Sequence, residues 1–415
     1  MHLQTLDLLR CPYCGGRLEL VDTMFHQASG NELQDGVLGC ECCIFPVVNG
    51  IPVLHLDAAA TSAREAIEAG RPQVALRAMV GLNEEGQAEQ FESAIASQSS
   101  TYREVVESLG PTFEGGYFLY RFSDPTYLVA SAVVRAVAGT VLERRQRAID
   151  ICGGSGHLTR SLLDLSSEAP ILADLYFAKL WLARRFTAPG CEPICCDANS
   201  PMPFARGAFG LALCSDAFQY IWTKRLFVAE LSRLVAGRDP AAVVIGHTHN
   251  QLTWSPSHGQ PLTPAGYANL FETLTPRLYG EAGLFADVVR VGRLNLERRD
   301  SQEALAGDPA LTIVASTDPR VYGVHPVEPQ ATARGEFRVN PLYATERRGD
   351  RLHLHLQFPS PDYEDEYGAC KEYLPTEATI ASSPLDELRR TGVVTPDLSD
   401  FVRRRVIVDL PKLYY

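Results

Sequence analysis

From Ala148 the chain alternates short apolar runs with helical stretches, and this alternation constrains its fold more than any other feature. The runs are AIDIC, PILAD, PICCD, GLALCSD, AAVVIGH, a segment near DVVRVGRLNL, and LTIVAS. Near-continuous apolar runs of this length suit parallel strands buried on both faces. Parallel neighbours need crossover connections, and LYFAKLWLARRF after the second run reads as one. The pattern predicts an α/β fold with a doubly wound core. Such a core binds ligands beyond the carboxyl ends of its strands. The residues that close each run are therefore the first candidates for chemistry.

At 415 residues the chain exceeds what one ordinary core encloses, and its texture changes along its length. Residues 1–57 are compact and turn-rich. Residues 58–147 are rich in Ala, Glu, Arg and Gln and read as a helical linker and lid region. That region breaks near Gly81, is punctuated at Gly110-Pro111 and ends in a helix from Leu128 to about Arg147. Residues 148–318 form the α/β core, and residues 319–415 predict a C-terminal α+β extension. In that extension RLHLHLQF puts Leu352, Leu354, Leu356 and Phe358 on one strand face and His353, His355 and Gln357 on the other. The two histidines read as a solvated face, because no third metal ligand stands at suitable spacing. A helical PLDELRRTG and a strand-like RRRVIVDL follow.

Hydrophobic residues make up 46% of the chain and charged residues 21%, which excludes wholesale disorder. The net charge of -12 argues against a nucleic-acid partner or an anionic lipid surface. No window reaches the about 18 apolar residues of a membrane span. The opening MHLQTLDLLRCPYC lacks the basic region and apolar run of a signal peptide. The expectation is a cytoplasmic protein without membrane association, and a homo-oligomer is left open.

Eleven cysteines, five of them before residue 44, suit thiolates gathered around a metal better than a disulfide scaffold. Cys11-Pro-Tyr-Cys14 is one CxxC knuckle, and Cys40-Glu-Cys42-Cys43 contains a second as Cys40 and Cys43. Two knuckles can set four thiolates tetrahedrally around one zinc ion, so Cys11, Cys14, Cys40 and Cys43 are the expected ligands. Cys42 stands as the alternative to Cys43. Four sulfurs close the coordination sphere, so the zinc is read as structural. LLRCPYCGGRLEL followed by FPVVNGIPVL resembles the zinc ribbon of the small activator subunit shared by tRNA, rRNA and protein methyltransferases. The same ribbon is also found fused to bacterial methyltransferases. The interval from the second knuckle to Phe45-Pro46 is shorter than in that pattern. The ribbon has no lysine and is surrounded by acids, which disfavours a grip on RNA.

The stretch from Asp150 through Gly153, Gly154 and Gly156 to His157 joins the first run to a helix starting near Leu158. Glycines there admit a ligand close to the backbone, and the absence of a following Lys-Ser/Thr rules out a Walker loop. Asp174 ends the second run, Asp197 the third, and Ser215-Asp216 the fourth. In this order the set resembles class I S-adenosylmethionine-dependent methyltransferases, over roughly Ala148 to Ser316. The resemblance implies a Rossmann-like methyltransferase core with S-adenosyl-L-methionine as cofactor, bound at Asp150, Gly153, Gly154 and Gly156. It assigns Asp174, with Leu175 beside it, to the ribose hydroxyls, and Asp197 and Ala198 to the adenine edge. Ser215 and Asp216 fall beside the methionine portion and the transferred methyl. Cys152 and Gly210 depart from the family pattern. A dinucleotide dehydrogenase fits less well, since Cys152 breaks its fingerprint and PMPFARGAFGLALCSDAF is left without a role.

Methyl transfer asks a protein to align a nucleophile and, where needed, to take its proton. The fifth run leads into His247 and His249, and imidazoles at a strand end suit proton abstraction near neutral pH. These two are the candidate catalytic bases. His258, Tyr117, Tyr120 and Arg121 are weaker candidates for the substrate pocket, with packing as the ordinary alternative for the aromatics. The expected function is methyl transfer to a small-molecule acceptor of specialised metabolism or cofactor biosynthesis. The alternatives are an rRNA, tRNA or protein methyltransferase with its activator ribbon in cis, a non-catalytic scaffold on the same fold, and other S-adenosylmethionine chemistry.

Overall fold

The computed structural model describes residues 1–21, 25–82, 86–110, 117–142, 146–255, 259–328 and 330–415. The chain divides into two compact units. One comprises residues 1–88, 133–284 and 295–324, the other residues 89–132, 285–294 and 325–415. No helix among the described residues is long and apolar enough to cross a membrane.

The first unit begins with a small antiparallel sheet of β1 (Glu19–Leu20), β2 (Gln27–Ser29), β3 (Glu32–Gly39), β4 (Ile44–Val48) and β5 (Ile51–Pro52). The turn between β4 and β5 is Asn49-Gly50, with φ of 48° and 74°. Two residues with positive φ match the right-handed twist of a tight hairpin, and Asn-Gly is the pair that adopts it most readily. Helix α1 (Ala58–Glu68) follows, its first turn capped by the Asp57 carboxylate, which accepts from Ala60 N at 2.7 Å.

The core strands are β6 (Ala148–Ile151), β7 (Ile171–Asp174), β8 (Glu192–Cys195), β9 (Leu211–Ser215), β10 (Ala242–His249), β11 (Pro276–Gly280) and, after a short β12 (Arg293–Asn295), β13 (Ala310–Ser316). Among the described residues they form a seven-stranded sheet in the order β11-β13-β10-β9-β6-β7-β8. β6 to β10 are mutually parallel, and β13 runs antiparallel to both β10 and β11. All residues of β6 to β9 are buried, as their apolar runs require. Chain order runs outward from β6 through β7 to β8, then returns to β6 and continues through β9. The sheet is therefore doubly wound and Rossmann-like, with its switch point between β6 and β9.

One strand differs from the sequence reading. The segment near DVVRVGRLNL does not supply the sixth sheet strand: Asp287–Val291 is a π-helical turn continuing a helix from Glu281 to Ala286, and only Arg293–Asn295 is extended. The strand is Pro276–Gly280, at the sheet edge, where only Tyr279 and Gly280 are buried. A half-buried edge strand needs no apolar run and tolerates proline at its start.

The N-terminal sheet packs on the core and does not stand alone. Val53 pairs with Cys195 of β8 in parallel, and Leu54 N donates to Cys195 O at 2.7 Å. Arg10 N donates to Pro203 O at 2.9 Å, and Trp181 Nε1 to Asn49 Oδ1 at 3.0 Å. Leu9, Leu38, Phe45 and Leu54 share one buried cluster with Ile171, Ile194 and Phe204. Residues 1–57 thus share a unit with most of the core, while residues 58–147 are divided between the two units.

The second unit has its own buried cluster, including Phe337, Leu354, Tyr363, Leu388 and Val406. The strand Arg351–Leu356 buries Leu354 and Leu356 and exposes His355, paired on either side by Tyr343–Arg348 and Glu377–Ala381. Tyr102 and Tyr414 stack with ring centroids 4.6 Å apart.

Gly50 combines left-handed backbone with a surface against which a Cβ would collide with the Arg184 guanidinium. Gly50→Ala should lower the unfolding free energy by about 1–3 kcal/mol, read as a lower urea midpoint with unchanged slope.

Candidate functional site

The parallel strands β6 to β10 deliver their carboxyl ends to one edge. The loop after β6 is shaped by Cys152, Gly154 and Gly156, whose φ values are 58°, 55° and 74°. A Cβ at Gly153 would lie 2.5 Å from Leu172 Cδ1 and 2.7 Å from the Asp150 carboxyl group, so only glycine fits there. A Cβ at Gly156 would lie 3.0 Å from the Cβ of Ala183, so the loop packs closely on the helical segment that follows β7. Asp174 ties this loop to its neighbour strand: Oδ2 accepts from Gly154 N at 2.9 Å and Oδ1 from Tyr176 N at 2.8 Å. Burial pushes its carboxyl group up from the usual range, partly offset by the Tyr176 N–H and Lys179. Asp150 is 1% exposed and accepts from the Thr159 hydroxyl at 2.6 Å. Burial first, and Asp174 in addition, raise it to about 7.

Beyond β8, Asp197 Oδ1 accepts from Asn199 N at 2.8 Å, beside buried Ala198. Leu175 is exposed. Among the described residues the buried Ser155 Oγ, Ser215 Oγ and Asp150 Oδ1 have no hydrogen-bond partner. A glycine cradle, unsatisfied polar atoms and carboxylates on successive strand ends fit a nucleoside-bearing cofactor such as S-adenosyl-L-methionine.

On the other side of the switch point, Asp216 and His247 both have positive φ, 57° and 47°. Asp and His tolerate this region better than most side chains, yet such backbone costs about 1–3 kcal/mol apiece. Asp216 N donates to Gly246 O at 2.9 Å, and the β10–β13 register slips between Ile245 and Thr248. His247 is held at two points by Glu281: its N donates to Oε1 at 2.8 Å and its Nδ1 meets Oε2 at 2.6 Å. Thr312 Oγ1 also donates to Glu281, at 2.9 Å. Burial works against ionisation of Glu281, but His247 and these hydrogen bonds hold its carboxyl below the ordinary range. His249 Nδ1 lies 2.8 Å from Ser255 Oγ, and burial, then the His247 charge, lower its pKa. Asp216, His247 and His249 each offer a ligand atom within 4.8 Å of the other two. Neither Glu281 nor Ser255 carried a sequence signal.

The remaining sequence candidates fall elsewhere. Tyr117, Tyr120 and Arg121 belong to the second unit. There Tyr117 stacks on Phe118, Tyr120 meets Tyr363 edge-on, and Arg121 pairs with Asp124 at 3.2 Å. His258 lies outside the described residues.

In the N-terminal sheet the thiols that meet are those of Cys11, Cys14, Cys40 and Cys42. Cys42 Sγ lies 3.7 Å from Cys11 Sγ and 3.5 Å from Cys40 Sγ, and Cys14 Sγ lies 3.7 Å from Cys40 Sγ. Cys42 therefore takes the place that the CxxC spacing gave to Cys43. Cys43 directly precedes β4 and packs against the buried cluster, with Cys42 Sγ 3.3 Å away. Burial pushes the Cys11 thiol up to about 11. Cys40 falls to about 7, where backbone N–H groups of Cys42 and Cys43 outweigh its burial. Four thiols so close cannot all ionise unless a cation joins them, and four sulfur donors fit zinc.

No protein-family model matches the chain, and no curated protein matches it in sequence. Solved structures similar to part of it include a chain of the complex between the Haloferax volcanii Trm112 methyltransferase activator and a methyltransferase, at 16% identity and TM-score 0.35, over 45% of this chain and 88% of that one. Another is geranyl diphosphate C-methyltransferase from Streptomyces coelicolor, at 13% identity and TM-score 0.33, over 43% and 73%. A third is an S-adenosylmethionine-dependent methyltransferase from Mesorhizobium loti, at 13% and 0.34, over 45% and 99%.

The thiol geometry predicts that Cys42→Ser loses bound zinc while Cys43→Ser keeps one equivalent, measured by metal analysis after gel filtration. Asp150 gives a pH dependence. Its folded-state pKa lies above the unfolded value, so its contribution is full in acid and lost as pH rises through about 7. Asp150→Asn should flatten the melting-temperature profile around that pH, and an unchanged profile would reject the assignment.

Proposed function

We propose that this protein is an S-adenosylmethionine-dependent methyltransferase that acts on a small-molecule acceptor. The observation that carries the reading is the meeting of the Gly153–Gly156 loop with Asp174 at the switch point, with Asp197 on the next strand end. In this reading Asp174 receives the ribose hydroxyls, Asp197 and Ala198 flank the adenine, and Asp150 supports the loop through Thr159. Gly153, Gly154 and Gly156 leave room for the cofactor's backbone-proximal atoms. Ser215 and Asp216 face the methionine end. The bound cofactor supplies an electrophilic methyl group on a good leaving group, and the chain's own residues position the acceptor and manage its proton.

That task falls to His247 and His249. Glu281 fixes the His247 ring through Nδ1, and in this reading Nε2 is the nitrogen that acts on the acceptor. His249, with its lowered pKa, is available as a neutral acceptor of protons near pH 7. Aromatic side chains are exposed on the loops that follow the strands: Tyr176 after β7, Tyr220 and Trp222 after β9, and Trp254 after β10, the last 83% exposed. They favour an acceptor with an apolar or aromatic body over a polyanion. The N-terminal sheet is read as a zinc ribbon whose metal, held by Cys11, Cys14, Cys40 and Cys42, is structural.

Calorimetric titration of zinc-replete protein with S-adenosylmethionine and S-adenosylhomocysteine tests the proposal. Both should bind with micromolar affinity, and Asp174→Ala should weaken both by about 10- to 100-fold, the value of one hydrogen bond to a charged group. Absence of binding to the wild-type protein would reject the reading.

A further inference from the structure

We infer that Asp216, His247 and His249 form a binding site for a divalent first-row transition cation such as Mn2+, Fe2+ or Co2+. The three side chains are half-buried, with ligand atoms within 4.8 Å of one another. His247 and His249 stand two apart at the end of β10 and are both half-buried, while Thr248 between them is fully buried. Their rings lie 5.6 Å apart between centroids, with planes at 84°, so they approach a common point from different directions.

The surroundings match a metal site better than an ordinary buried hydrogen-bond network. A metal-binding imidazole usually gives its other nitrogen to a carboxylate or a hydroxyl, which fixes ring orientation and raises basicity. His247 Nδ1 meets Glu281 at 2.6 Å and His249 Nδ1 meets Ser255 Oγ at 2.8 Å, the kind of carboxylate and hydroxyl partners that orient metal-binding rings. Backbone supports the same convergence. Two of the three residues keep left-handed φ, and the Tyr267 hydroxyl pins the His249 carbonyl at 2.8 Å. A structural Glu–His pair alone requires neither the bulge nor the strained Asp216.

Two imidazoles and one carboxylate suit transition ions, whereas Mg2+ and Ca2+ prefer oxygen donors throughout. Three protein ligands leave coordination positions open to an acceptor. Resting on the transfer reading above, this points to an acceptor whose nucleophile is an oxygen able to bind the cation. The cation would lower the pKa of that oxygen so that its proton passes to water. The O–CH3 bond would form as the cofactor's S–CH3 bond breaks and S-adenosylhomocysteine leaves. His247 and His249 would act as ligands in place of the proton-accepting role given them above. Cation binding itself does not depend on that reading.

The test is titration of protein carrying a single zinc equivalent per chain with Mn2+, followed by loss of the free-ion electron paramagnetic resonance signal. Mn2+ is a poor match for the ribbon's thiolates, so the two sites report separately. The wild type should take up one Mn2+ per chain. His249→Ala and Asp216→Asn should weaken uptake at least tenfold, and Glu281→Gln by about 10- to 100-fold. Melting temperature and retained zinc identify variants that are folded; His249→Asn serves if His249→Ala is not. No uptake by the wild type, or uptake unchanged in folded variants, overturns the site. Titration of the same samples with S-adenosylhomocysteine separates the two readings. Uptake of Mn2+ without cofactor binding would sink methyl transfer and leave the cation site standing, whereas cofactor binding without Mn2+ would sink the cation site alone.

Discussion

The ladder between β6 and β9 fixes everything that follows in this molecule. Ala148, Ile149 and Asp150 lie opposite Leu211, Ala212 and Leu213, and from this pair the sheet grows in opposite directions. The crossovers of the two halves must leave on opposite faces, so the loops after β6 and β9 diverge and leave a crevice. The glycine loop stands on one side of it, and Asp216 with the β10 histidines on the other. Residues more than sixty positions apart in the chain become neighbours only because of this reversal.

The crevice is built from two kinds of wall. On the β6–β8 side the backbone does the work: tight glycines, with Asp174 accepting N–H groups from its own strand end and from the loop. On the β9–β10 side the work is done by side chains on constrained backbone. Asp216 and His247 occupy left-handed conformations, and Glu281 clamps His247 through both its backbone and its ring. The first wall suits a ligand recognised by shape and hydroxyl groups, the second a reacting group that must be held in one place.

Most of the core was legible in the sequence because buried parallel strands cannot hide: each must be apolar on both faces. The edge strand Pro276–Gly280 escaped because only part of it is buried. The Val-rich DVVRV segment misled because a continuing helix overrode its β-branched composition. The glycine loop and the acids at strand ends were legible through their order. Glu281 was not, since its partnership with His247 is made by β11 returning beside β13, and no local pattern announces it. The thiol tetrad was legible to within one residue. Spacing counts positions, whereas the direction of each side chain is set by the local backbone.

The pairing of Val53 and Leu54 with β8 has a consequence in the order of synthesis. A sheet edge with open N–H and carbonyl groups is a template for association with other chains. Val53 and Leu54 leave the ribosome long before β8. When β8 emerges, its outer partner is already waiting upstream in the same chain. The vulnerable interval for this edge is thereby reduced to the time the nascent chain needs to bring Cys195 to Leu54.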